Sequence, residues 1–93
     1  EKTFTLEERE HLWDCIYQTF SDTMADLKVK CPDLTREDLL YCVFYLLGYP
    51  NPIIIACTGS NANALKSRKN RIRNKMNEEL RSIIFNIDSK LTH

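Results

Sequence analysis

Glycine is nearly missing from this chain of 93 residues, which holds two glycines and three prolines. Such scarcity excludes a glycine-rich phosphate loop and a low-complexity linker. Strand-like alternation and internal repeats are also absent, and helix formers dominate. The longest apolar run, residues 39–47, is about half the length a membrane helix needs. No signal peptide is visible, because the N-terminus "EKTFTLEERE" is acidic and polar. The chain opens on Glu1 rather than Met, as a fragment of a longer protein would. A cytoplasmic location is expected, in a parent that can still be tethered to a membrane.

The cysteines, Cys15, Cys31, Cys42 and Cys57, form no C-x-x-C pair. His11 and His93 complete no zinc-like spacing, so no metal site and no cofactor are expected. Free thiols fit a reducing compartment, although an even count leaves disulfides open. Cys42 lies inside the apolar run and reads as a small buried hydrophobe. His11 has no credible nucleophile partner, and the acids are scattered along helix surfaces. The chain therefore reads as no enzyme, with no catalytic residue and no small-molecule substrate.

What is present is a polarised charge. Residues 1–38 carry ten acids and five bases. Residues 39–77 carry no acid and six bases, all between Lys66 and Lys75. Residues 78–93 carry three acids and two bases, and the whole chain sums to zero. A local positive field of this kind attracts a polyanion even when net charge vanishes.

The helix signals are strong. Thr5 and Glu8 form a capping box that opens a long N-terminal helix over 5–31. Trp13, Tyr17, Phe20, Met24, Leu27 and Cys31 make one apolar stripe along it, read as core packing or a helix seam. Pro32 lies at its end. Thr35 caps a helix that is apolar nearly all round and belongs at the centre, with Gly48 as its stop. Asn51 and Pro52 open a short helix, Gly59 reverses the chain, and Ser60 or Asn61 caps the next helix. Asn77 caps a C-terminal helix over 77–91, carrying Leu80, Ile83, Ile84 and Ile87. One continuous helix over 62–88 remains the alternative.

On a helical wheel advancing about 100° per residue, Leu65, Ile72 and Met76 share one face of the basic helix. Asn63, Lys66, Ser67, Asn70 and Asn74 occupy the opposite arc. Asn pairs with adenine, Lys reaches guanine, and Ser is an adaptable donor or acceptor. Asn63, Lys66, Ser67 and Asn70 are therefore the DNA base-edge candidates. Arg68, Lys69, Arg71, Arg73 and Lys75 are the phosphate candidates, with Lys69 placed to snorkel from the edge of the apolar stripe. No acid stands at i±4 to neutralise this helix from within. Four to six neutralised phosphates would give a log K against log salt slope of about −4 to −5.

Residues 34–76 resemble the LuxR-type helix-turn-helix domain of bacterial transcription regulators. Leu34-Thr35, Gly48, Asn51, Ile54, Leu65-Lys66, Arg71-Ile72 and Lys75-Met76 carry the resemblance, which spans about half of the chain. Region four of sigma factors is similar in the same places. The resemblance implies a four-helix domain; with the long N-terminal helix added, the expected fold is an all-α helix-turn-helix bundle of four to five helices, and the length makes one domain over 1–93 the expectation. Its recognition helix would run over 61–76, and Lys66, Ser67 and Asn70 correspond to base-facing places. Double-stranded DNA is the implied partner, with a homodimer and an upstream sensory domain in the parent protein. The alternative is a protein-interaction or dimerisation module built on the same scaffold. Open apolar stripes over Trp13–Cys31 or Leu80–Ile87 would favour it.

Overall fold

Short polar side chains set where the helices begin. In the computed structural model, which describes residues 4–85, Thr5 caps α1 (Leu6–Thr19) through a complete capping box. The Glu8 N–H donates to Thr5 Oγ1 at 3.1 Å, and the Thr5 N–H donates to Glu8 Oε1 at 2.9 Å. α2 covers Ser21–Lys30, and α3 covers Arg36–Leu46. Thr35 and Asp38 build a second box at the start of α3. α4 (Asn51–Thr58) follows Pro50, and Pro52 stands in its first turn, where a missing N–H leaves no bond unmade. The start lies one residue earlier than Asn51 as cap would put it. Asn61 Oδ1 caps α5 (Ala62–Lys75), and Asn77 Oδ1 caps α6 (Glu78–Ile84).

The described residues are all helix and connection, in six helices. That exceeds the expected count because the helix read over 5–31 is two. Phe20 has φ −110° and ψ 26°, which bends the axis between α1 and α2. The apolar stripe continues across the bend, so periodicity alone hides it. Thr19, Ser21, Asp22 and Thr23 are weak helix residues around it, with side chains that compete for backbone bonds. The basic segment and the C-terminal segment are likewise separate helices. Met76 turns extended, with φ −99° and ψ 151°, before Asn77 restarts the chain. Ile87, His93 and the end of the expected 77–91 helix lie outside the described residues.

α3 is the central element. Asp38 to Tyr45 are all buried, and α1, α2 and α6 pack against α3. Met24 and Leu27 of α2, with Cys31 at its C-cap, close the core from one side, and Leu80 and Ile84 close it from α6. Trp13, Tyr17 and Phe20 are half-buried against it. α5 adds Leu65 and Ile72, followed by Met76. Burial of such a side chain contributes roughly 1.5–3 kcal/mol. The apolar line of the basic segment is thus fixed inward.

α1 grips the turn between α4 and α5. The Trp13 indole N–H donates to Cys57 O at 2.9 Å. Gly59 adopts φ +70°, and an added Cβ there would lie 2.8 Å from Arg9 Cζ. The glycine is needed both for left-handed backbone and for the approach of Arg9.

Candidate nucleic-acid interface

The geometry of α5 follows from its two inward residues and its cap. With Leu65 and Ile72 buried, the opposite arc is forced to solvent. Asn63, Lys66, Ser67 and Asn70, the four base-edge candidates, are all exposed. Asn74, Arg71 and Arg73 are exposed beside them. The face thus presents amides, one hydroxyl and cations, and no carboxylate within the helix.

The remaining cations are placed differently. Arg68 is turned toward α3, with its side chain 23% exposed. It donates to Asp38 Oδ1 at 3.1 Å and to Glu37 Oε1 at 3.3 Å, and its guanidinium lies 4.9 Å from the Tyr41 ring centre. Lys75, 31% exposed, donates to Asp38 Oδ2 at 2.7 Å. Lys69 is half-buried, with Nζ 5.6 Å from the Tyr45 ring centre and 5.5 Å from that of Phe85. The Arg73 guanidinium is 5.6 Å from the Phe85 ring centre while its side chain stays exposed. Of the five phosphate candidates, then, Arg71 and Arg73 face solvent, and Arg68 and Lys75 are held by α3. The acids that neutralise α5 come from another helix rather than from i±4 neighbours.

Asp38 is the residue that sequence reasoning undervalued. It is 2% exposed, and it accepts from the Thr35 N–H, Arg68 and Lys75 together. Burial pushes its carboxyl up, but the bonds from Lys75, the Thr35 backbone and Arg68 outweigh burial and hold it below the ordinary carboxylate value. Burial pulls Arg68 down, and Asp38 more than restores it, so the guanidinium stays charged. The signal was available: an acid at the third position of a capping box, inside a helix with apolar residues on every other side.

The other chemistry-bearing groups are quiet. All four cysteines are free thiols. Burial, with the nearby Asp38 charge, pushes Cys42 up to about 12, so it is no nucleophile at neutral pH. Among the described residues, no group of three His, Cys, Asp or Glu could hold a metal ion. Nor is any helix there long and apolar enough to cross a membrane. A cleft of about 550 Å³ between α1, α3 and α5 has Trp13, Tyr17 and Tyr41 in its walls. Its two cations are already engaged, since Arg36 stacks 3.8 Å over the Tyr17 ring and Arg68 bonds the α3 acids.

The apolar stripes that a docking module would need open are largely packed. Met24, Leu27, Cys31, Leu80 and Ile84 are buried, while Ile83 is exposed and Ile87 lies outside the described residues. No protein-family model, curated protein or solved structure matches the chain.

Proposed function

We propose that this chain binds double-stranded DNA in a sequence-specific way, with the outward face of α5 in the major groove. One observation carries the proposal. A fourteen-residue helix free of acids turns Asn63, Lys66, Ser67 and Asn70 to solvent, while Leu65 and Ile72 anchor its other side. Those side chains suit base edges, and exposed Arg71 and Arg73 suit the phosphates on the groove walls. The short α4, the left-handed Gly59 and the capped α5 come in the order of a helix-turn-helix. Together with the LuxR-like residues at 34–76, this supports an output domain of a bacterial transcription regulator, with its sensory part elsewhere in the parent. A homodimer would set two copies of α5 about one DNA turn apart and read paired half-sites.

Selection from random duplex DNA at two salt concentrations tests this reading. The expected result is an enriched motif whose binding weakens with salt. Lys66, Arg71 and Arg73 are the exposed cations of α5, so the slope of log K against log salt should be about −3. That is shallower than a count of all the cations in the segment suggests. Lys66→Ala or Asn70→Ala should cost roughly 1–3 kcal/mol on the preferred site and relax its sequence. Arg71→Ala should weaken all duplexes alike. No enrichment, or affinity indifferent to salt, contradicts the proposal.

A further inference from the structure

Both carboxylate oxygens of Asp38 are taken up by cations of α5: Arg68 at 3.1 Å and Lys75 at 2.7 Å. The two cations stand about two helical turns apart, so one buried acid fixes both the middle and the end of that helix. Glu37 adds a second bond to Arg68 from the same turn of α3. We infer that Asp38 is a specificity-determining positioning residue: it withholds Arg68 and Lys75 from phosphates and pins the roll that buried Leu65 and Ile72 give α5, with Lys66, Ser67 and Asn70 outward. This rests on the duplex-binding reading above.

The physical reason is the different information carried by the two kinds of contact. Phosphate contacts strengthen binding to every duplex alike, whereas base-edge contacts discriminate. Two cations removed from the phosphate count lower the background on all sequences and leave the discriminating side chains untouched. A phosphate seeking Arg68 must displace charge-assisted bonds already made to two carboxylates. Fixing the roll matters as much. Buried Leu65 and Ile72 exclude a full turn of roughly 100°, and the Asp38 bonds narrow the smaller rotations to which base-edge hydrogen bonds are sensitive.

The test uses the chain with Asp38→Asn, which keeps an oxygen for the Thr35 N–H and removes the charge. Wild type and variant are titrated with a selected duplex and with a scrambled duplex at two salt concentrations. Affinity for the scrambled duplex should rise and the salt slope should steepen by about 1–2. The ratio of selected to scrambled affinity should fall about tenfold, because a looser roll weakens the base-edge bonds; the phosphate gain is common to both duplexes and cancels in the ratio. A merely structural role for Asp38 would move neither slope nor ratio in the folded variant. Lys75→Gln, which leaves the Arg68 bond to Asp38 intact, is the second variant. Its slope should equal that of wild type, whereas Arg71→Ala should flatten the slope by about 1. A folded Asp38→Asn with unchanged slope and ratio overturns the inference, and so does a flattened slope in Lys75→Gln. If Asp38→Asn fails to fold, the Lys75→Gln slope decides alone. Wild type with no salt-dependent duplex binding overturns the underlying reading and this inference with it; wild-type binding with a flattened Lys75→Gln overturns the inference alone.

Discussion

At the scale of single residues, Asp38 shows how local and distant roles overlap. Its place in a capping box is local, and Thr35 with acids in the following turn was legible from the sequence. Its grip on Arg68 and Lys75 was not, because the partners lie 30 and 37 positions away. The acid response follows from the lowered pKa. A carboxyl held below its ordinary value stabilises the fold above about pH 4 and loses that contribution as pH falls through its folded-state pKa. Urea unfolding from about pH 6 to about pH 2 should therefore show wild type losing stability with a steeper acid limb than Asp38→Asn. At the upper pH the variant should be weaker by about 2–4 kcal/mol, since two half-buried cations lose their shared partner. Parallel acid limbs would show that Asp38 is not the titrating group. Gly59→Ala should cost about 1–2 kcal/mol for its left-handed backbone alone, with Arg9 displaced from its seat. A neutral result in denaturant melts would contradict that account. Thiol labelling of the native chain near neutral pH should modify exposed Cys15 first, with Cys31, Cys42 and Cys57 reacting only on unfolding.

At the scale of elements, the helix starts were the most legible feature. Thr5, Thr35 and Asn77 each cap as their spacing suggests, and of Ser60 and Asn61 it is Asn61 that caps α5, because a cap is made within three residues of itself. The bend at Phe20 was not legible. A stripe at alternating spacings of four and three marks which face is buried, not whether the axis stays straight. The burial pattern of α5 was readable from Leu65, Ile72 and Met76, yet the flank carrying Arg68 turned toward α3. That contact is a tertiary ion pair that no helical wheel contains. Two kinds of substitution separate these contributions. Asn61→Ala should cost about 1 kcal/mol through the lost cap, and Ile72→Ala about 2–5 kcal/mol through the cavity it leaves. Asn63→Ala, on the exposed arc, should stay within about 0.5 kcal/mol in the same denaturant melts. A large loss at Asn63 would mean that its side chain holds the fold rather than faces a partner.

At the scale of the molecule, the zero net charge conceals two opposed regions. Acids concentrate in residues 1–38 and bases in residues 66–75, and folding lets α3 acids cancel part of the basic run. The acid-free span was plain in the sequence. Which cations stay outward was not, since that depends on how α3 and α5 meet. The same folding closes most of the two apolar stripes and leaves the polar arc of α5 open. The proposed function stands on that arc being the surface that meets a duplex. Backbone amide shifts, followed by NMR as a selected DNA duplex is added, test it most directly. The largest changes should fall on Asn63, Lys66, Ser67, Asn70, Arg71 and Asn74. Changes confined to α1, or to the exposed corner of Leu47, Tyr49 and Ile53, would contradict it.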